Sequence, residues 1–571
     1  MGEKGKICII GIDGGTFDLI KPWVEQGHLP HIRRIMSTGS YGVLKSSIPD
    51  NSAPAWTSIV TGKNPGKHRV FGFTSPNRDI AEIKITNRLT RTSSALWNIF
   101  SKHKRKTCVI NVPLTYPPEP VEGIMISGMD TPDTDKTYTY PESLKNEIIK
   151  QFGKYKIEPE TATTWTSLNE KGKLAYINEI HDIAELHCEA ATYLFKKHPW
   201  DFFMVVFVAT DRVQHKYWAD MDRSSPFFKE NTHPNIRNAI FDTYRLMDAC
   251  IGKIVDMLPQ DMSLFIVSDH GFGLRSPRVV SINRLLQRYG FLQYKKPQGN
   301  NPLSTINLVK SILSDLSQRF LSPKQKQRLK KLFPFLEGKA FTYLRFANID
   351  WIKTKAFAEE PMGTIWINRK DRFKTGAVNS GKEYEEVCGD IVTLLKGIQD
   401  PESGLPILQS VFRKDEVYGG QYLNEAPDIV FSYGTNFSFP ESTSISRLFS
   451  DDNFIARITD VKEFLEISGI HRPNGIIMAN GKNIRNHARI QEVSVIDVAP
   501  TCLYLAGLSI PDDVDGRVLT EMIEETFIQQ NPIRFDKESN RIAVNNTENL
   551  KVYSPEDQEL IEKRLKDLGY L

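Results

Sequence analysis

The run Lys6-Ile7-Cys8-Ile9-Ile10-Gly11-Ile12 does most to limit what this chain can fold into. A continuous apolar run of this length reads as a buried strand, and it ends in Asp13-Gly14-Gly15 before a helical pattern through Leu19, Trp23 and Ile32 to Met36. A buried strand that delivers an acid at its carboxyl end and then enters a helix is the unit of a parallel α/β sheet, whose active sites lie beyond those ends. Tyr41–Leu44, Thr107–Val112, Gly123–Ser127, Phe202–Ala209 and Ser263–Ser268 follow the same grammar. Helical patterns fall at Leu174–Lys197 and Asn238–Leu258, so the expectation is an α/β fold with a doubly wound, mostly parallel sheet.

Two further strands end in reactive side chains. Phe202–Ala209 runs into Thr210-Asp211-Arg212-Val213-Gln214-His215, and four-residue spacing on a helical turn puts Asp211 and His215 on one face. Ser263–Ser268 runs into Asp269-His270-Gly271. Taken singly, Asp211 reads as a helix N-cap, His215 as a surface or core histidine and Asp269 as a turn residue. Three strand ends that all carry acid or acid/His ligand types are harder to dismiss. A fourth stretch, Pro49-Asp50-Asn51-Ser52-Ala53-Pro54 through Gly62, reads as a loop entering a helix with Pro54 in its first turn. Ser52 there is either an N-cap or, beside the positive end of the helix dipole, a phosphate-facing nucleophile.

The 571 residues exceed one compact core, and the formal charge of +4 is too small to make nucleic acid or a membrane surface the main partner. Cys8, Cys108, Cys188, Cys250, Cys388 and Cys502 are scattered without a CxxC, as in a reducing compartment. No signal-like region precedes the first strand and no run is long enough to span a bilayer, so the expected location is cytoplasmic and no transmembrane segment is expected.

After Gly273 the pattern changes. Ser276–Trp351 carries an amphipathic helical pattern (Ile306, Val309, Ile312, Leu316, Phe320) and a basic run at Lys324, Lys326, Arg328, Lys330 and Lys331. This reads as an inserted helical cap, its basic run either a solvated face or a rim attracting an anion. Strands return at Gly363–Asn368, Asp428–Phe431 and Asn474–Ala479, with a helix at Tyr384–Leu395, a histidine-bearing loop at Ser468–Gly475 and a helix at Val493–Leu508. An amphipathic helix capped by Ser554 ends the chain. The expected organisation is a catalytic core, first part, over 1–272; a cap over 273–362; the second part of the core over 363–535; and a tail over 536–571.

The strand ends supply Asp13, Asp211, His215, Asp269, His270 and, among the loop histidines, His471, with Ser52 nearby. Mixed nitrogen and oxygen donors without thiolates suit two divalent ions, zinc first and manganese as the alternative. Such a site ionises the serine hydroxyl and neutralises a phosphoryl group, as in-line displacement at phosphorus requires.

These pieces, together with Asp497-Val498-Ala499-Pro500-Thr501 and Asp515-Gly516-Arg517, resemble the alkaline phosphatase superfamily, close to its type I phosphodiesterase/nucleotide pyrophosphatase branch and to bacterial predicted phosphohydrolases and phosphomutases. The resemblance implies Ser52 as the transiently phosphorylated nucleophile. It implies one metal on Asp13, Asp269, His270 and the Ser52 oxygen, and another on Asp211, His215 and His471. It is the resemblance, not the spacing, that selects His471. Where that branch commonly has threonine this chain has Ser52, and its phosphate-binding asparagine falls near Phe73 or Thr74, with Asn77 out of register. A formylglycine sulfatase needs an arginine where Trp56 stands. The expected function is metal-dependent hydrolysis of a phosphodiester or pyrophosphate bond in an anionic phosphate-containing small molecule or glycoconjugate. The alternatives are a phosphomutase or phosphomonoesterase, and, from another class, a catalytically silent binding or regulatory protein.

Overall fold

The apolar N-terminal run forms the central strand of a ten-stranded sheet. The structure, a computed structural model, describes residues 5–80, 83–160, 169–295, 348–440, 449, 453–537 and 552–570. In chain order the strands of the large sheet are β1 (Lys6–Ile12), β2 (Ser40–Lys45), β3 (Thr107–Val112), β4 (Gly123–Ser127), β5 (Thr139–Tyr140), β6 (Phe202–Phe207), β7 (Met262–Val267), β8 (Asn474–Gly481), β9 (Ala488–Arg489) and β10 (Val493–Ser494). Their spatial order is β9-β2-β8-β7-β1-β6-β3-β4-β5, with β10 also on β2. The pairs β7–β1, β1–β6, β6–β3 and β3–β4 are parallel. Strand β8 runs antiparallel between β7 and β2.

Both faces of β1 are covered, which is why its sequence does not alternate. Cys8, Ile10 and Ile12 pack with Ile20, Ile32, Ile177 and Ile251 on one face. Ile7 and Ile9 pack with Trp56, Ile59, Phe100 and Leu503 on the other. Each such side chain taken fully out of water contributes about 1.5–3 kcal/mol, so the two clusters fix the stacking of helices on both sides. Parallel register then aligns the strand ends: Ile12 lies opposite Phe207, and Gly11 opposite Val267. Asp13, Asp211 and Asp269 therefore emerge at one edge.

Two helical expectations are refined. The pattern from Leu19 to Met36 breaks at Gly27 (φ 82°) into Phe17–Glu25 and Pro30–Thr38. Val493–Leu508 opens as β10, and its α-helix is Val498–Leu505, because the Asp497 carboxylate accepts from the backbone N–H of Ser494 and holds a tight turn there.

The return to strands divides between two sheets. Ala356–Glu359, Thr364–Ile367, Ile429–Tyr433 and Leu408–Arg413 form an antiparallel sheet of their own in that order. The helix Lys382–Gly397 packs Val387, Cys388, Ile391 and Leu395 into the same cluster. Among the described residues of the later chain, only β8, β9 and β10 join the large sheet. The helical pattern from Ile306 to Phe320 and the basic run from Lys324 to Lys331 lie outside the described residues. Among the described residues no helix is long and apolar enough to cross a membrane.

The last helix, Pro555–Asp567, starts where the Ser554 hydroxyl accepts from the Asp557 N–H. It buries Ile561 and Leu565, followed by Leu568 and Tyr570, against Ala53, Phe73, Leu114 and Met362.

Gly11 sits under the ring of Trp56: a Cβ there would lie 2.5 Å from Trp56 Cη2 and 2.8 Å from Val206 Cγ2. Gly11→Ala is expected to destabilise the fold by about 1–3 kcal/mol through overpacking, read as a lower urea midpoint at unchanged slope.

Candidate active site

Ser52 occupies the first position of the helix Ser52–Thr61, and the N-cap is Asn51, whose side chain accepts from Ala53 N–H at 3.1 Å. The capping role read for Ser52 thus falls to its neighbour, and the serine hydroxyl faces inward. Its Oγ lies 3.5 Å from Asp13 Oδ1, 3.1 Å from His270 Nε2 and 3.0 Å from Tyr570 Oη. Asp13 is held by Trp56, whose indole N–H donates to Oδ2 at 2.9 Å. The residue standing where a sulfatase would have arginine is therefore a carboxylate anchor.

Asp211 is not an N-cap either; it sits in the first turn of the helix Ala209–Met221, whose cap position is Val208. One turn on, His215 places Nε2 3.3 Å from Asp211 Oδ1. Asp269 follows β7; its Oδ1 accepts from Gly14 N–H at 3.3 Å, and its Oδ2 lies 3.2 Å from His270 Nε2. His471 lies on a short strand, Gly469–Arg472, paired antiparallel with Gly271–Leu274 so that it sits opposite Phe272. Its Nε2 lies 3.4 Å from Asp211 Oδ1 and 3.1 Å from His215 Nε2, and its ring stacks on His270 at 3.7 Å. All seven expected side chains meet in one buried cluster.

The histidines share one orientation. His215 Nδ1 donates to Gly469 O at 3.1 Å, His270 Nδ1 to Gly271 O at 3.0 Å and His471 Nδ1 to Asp50 O at 2.9 Å. A carbonyl only accepts, so each Nδ1 carries the proton and each Nε2 turns a lone pair inward. Two such lone pairs 3.1 Å apart on His215 and His471 repel unless a cation or proton lies between them.

Electrostatics point the same way. Burial, then the charges of Asp269 and Asp211, push Asp13 well above the usual carboxylate range. Burial lifts Asp269 to about 7. Burial also acts to raise Asp211, but His215, His471 and Arg212 outweigh it and hold this carboxyl well below its usual value. Burial lowers His215 and His270 to about 4, whereas His471 is raised because its contact with Asp211 overcomes burial. Three fully buried carboxylates in one pocket cannot all be ionised without added positive charge.

Asp211 Oδ1 and Asp269 Oδ2 are buried without a hydrogen-bond partner. Asp211, His215 and His471 present ligand atoms close enough to hold one ion, and so do Asp13, Asp211 and His270. Unsatisfied carboxylate oxygens, inward lone pairs and excess negative charge fit divalent cations bound by nitrogen and oxygen.

The type I phosphodiesterase/nucleotide pyrophosphatase family matches residues 7–447. The chain belongs to this family. It is a phosphoric ester hydrolase of the alkaline phosphatase superfamily. Among solved structures, phosphonoacetate hydrolase from Sinorhizobium meliloti 1021 in complex with phosphonoformate is similar at 13% identity and a TM-score of 0.51, over 88% of this chain and 95% of that one. Murine ectonucleotide pyrophosphatase/phosphodiesterase 5 is similar at 12% identity and a TM-score of 0.45, over 91% of this chain and 100% of that one. A comparison with curated proteins gives no match. The family match includes Asp13, Ser52, Asp211, His215, Asp269 and His270 and stops before His471.

Two residues at the site were not singled out as its members by the sequence. Tyr570 follows a helix whose pattern advertises only packing, and nothing in its spacing points to Ser52. Trp56 reads as an apolar helix position, and its N–H partner becomes visible only in three dimensions. Arg212 bridges Asp211 at 2.5 Å and Glu158 at 2.7 Å, all three side chains being buried. Arg212→Met is expected to cost about 3–5 kcal/mol by stranding two buried carboxylates, measured as a fall in the urea midpoint.

Proposed function

We propose that this family member hydrolyses a phosphodiester or pyrophosphate bond through a phosphoserine at Ser52. The observation that carries this reading is the Ser52 hydroxyl itself: relieved of capping by Asn51, at a helix N-terminus, and within hydrogen-bond range of His270. Ser52 Oγ attacks phosphorus and the Oγ–P bond forms as the bond to the leaving oxygen breaks. Water then attacks the same phosphorus from the vacated side and the Oγ–P bond breaks, restoring the serine. Asp13, Asp269, His270 and Ser52 would hold one divalent ion and Asp211, His215 and His471 a second, zinc or alternatively manganese. When bound, these ions supply the charge that favours an ionised serine and neutralises phosphoryl oxygens. Trp56 and the three backbone carbonyls keep the ligands from rotating away.

Diester over monoester is favoured by the cleft that reaches His215 and His471. It is walled by Asn51, Met362, Gln409, Phe431, Tyr433 and Tyr570, and its only arginine or lysine among the described residues is Arg472. Arg472 Nη2 is committed to Leu274 O at 2.8 Å. Lys67 is bound to Asp515 and to Asp513 O, and Arg212 to Asp211 and Glu158. A dianionic monoester meets few unspent cations here, whereas a diester with an apolar or aromatic substituent meets matching walls. The six free, buried thiols fit a cytoplasmic protein, which cell fractionation tests.

With zinc or manganese, the protein is expected to turn over bis-p-nitrophenyl phosphate at least about tenfold faster than p-nitrophenyl phosphate, and Ser52→Ala to lose about 10⁴-fold or more. Equal turnover by Ser52→Ala overturns the phosphoserine route, and a monoester preference favours the phosphomonoesterase alternative. Elemental analysis of protein purified without chelator is expected to find about two divalent ions per chain, falling to about one in Asp211→Asn/His215→Ala.

A further inference from the structure

The side chain closest to Ser52 Oγ comes from the other end of the chain. Tyr570 Oη lies 3.0 Å from Ser52 Oγ and 3.4 Å from His471 Nε2. Its ring is 4% exposed and packs on Phe73 at 4.5 Å. Ser52, 1% exposed, lies beneath it.

Buried anchors set this position. Lys216 Nζ donates to Asp567 O at 2.6 Å and to Glu466 O at 2.8 Å, tying the end of the last helix to the helix that carries Asp211. Arg564 Nη1 donates to Thr131 O at 2.6 Å, and Tyr553 Oη to Asp130 O at 3.0 Å. Tyr553 stacks on Tyr116, and Leu565 and Leu568 are buried beside Phe73. The tail is thus packed into the core, and it delivers one hydroxyl to the nucleophile.

The proton inventory around Ser52 gives that hydroxyl a role. Asp13 in its ionised form only accepts, and its Oδ2 already takes the Trp56 indole N–H. His270 and His471 have placed their Nδ1 protons on backbone carbonyls and turn lone pairs toward the site. Asn51 Oδ1 takes the Ala53 N–H, and its Nδ2 donates to Met362 Sδ at 3.3 Å. Apart from Ser52 itself, Tyr570 is the one neutral hydroxyl donor in hydrogen-bond contact with Ser52 Oγ among the described residues. A phosphorus atom bonded to Oγ brings its nonbridging oxygens within reach of a donor standing 3.0 Å from that atom. We propose that Tyr570 is a catalytic residue, donating its phenolic proton in a hydrogen bond to a nonbridging phosphoryl oxygen as negative charge builds on it in the transition states that make and break the Ser52–phosphorus bond. No proton is transferred; the phenol stays neutral throughout. The proposal rests on the phosphoserine reading above and adds to it a transition-state donor supplied by the C-terminal tail.

Tyr570→Phe removes the hydroxyl and keeps the ring that packs on Phe73. With bis-p-nitrophenyl phosphate as substrate it is expected to lower kcat by about 10²-fold and to change KM by less than about threefold, the signature of a lost transition-state donor. Inhibition by vanadate, which adopts the five-coordinate geometry, is expected to weaken by a similar factor, while inhibition by inorganic phosphate and the melting temperature change little. A kcat within about threefold of wild type overturns the proposal, as does an equal weakening of vanadate and phosphate, which marks a displaced wall instead of a donor. Faster turnover by Tyr570→Phe or Tyr570→Ala also overturns it and makes the tail a plug. If Tyr570→Phe melts lower, the vanadate-to-phosphate ratio measured below its transition still decides the question. Wild-type protein without Ser52-dependent turnover refutes the phosphoserine reading and this inference together, whereas an active wild type with an unaltered Tyr570→Phe refutes this inference alone.

Discussion

Three carboxyl groups crowded into a solvent-shielded pocket are the constraint around which the rest of this protein is arranged. Asp13, Asp211 and Asp269 are essentially inaccessible to solvent. Among the described residues Arg212 is the only arginine or lysine bonded to any of them, and it is shared with Glu158. Removing an ionised carboxylate from water costs several kcal/mol even after the protein relaxes, and proximity of like charges adds to it. Such a cluster persists only because the sheet enforces it: parallel register fixes where β1, β6 and β7 end, and the clusters on both faces hold those strands together. The same unfavourable charge is what a bound cation would relieve. Binding and fold stability are coupled through the same oxygens.

Precision comes from the second layer of contacts. Three imidazoles are locked by backbone carbonyls, Asp13 by an indole and Asp269 by the Gly14 amide. Each lock comes from a different element, so the geometry of these side chains is distributed over the large sheet, the Ser52 helix and the two-stranded sheet of Gly271–Leu274 with Gly469–Arg472. Beyond this layer the separate antiparallel sheet presents Phe431 and Tyr433 toward the cleft. Chemistry is thus held by the large sheet, while the contour that meets the remainder of a substrate is contributed by a smaller one.

The strand ends were readable in the sequence because a strand buried on both faces leaves an unbroken apolar run, and an acid placed directly after it has few reasons to be there. Asp13 and Asp269 are of this kind. His471 is not: it sits in a Gly/Pro-rich segment, and only resemblance to the superfamily singled it out. The exchange of roles between Asn51 and Ser52 was hidden because both residue types cap helices well. The strands around Thr364 and Ile429 were visible as strands, but short antiparallel segments do not announce which sheet they join. Tyr570 was least legible of all, since its partner is 518 positions away and its neighbours advertise only packing.

Strand β8 lies between β7 and β2, bonded to both, and the residues just before it carry His471. Because β2 pairs only with β8, β9 and β10, the first 470 or so residues emerge with β7 as an unpaired edge of the sheet and β2 without a strand partner. The nascent polypeptide must keep the β7 edge uncombined until β8 arrives. One late segment thus joins β2 to the sheet and brings the His471 imidazole beside His215 and Asp211.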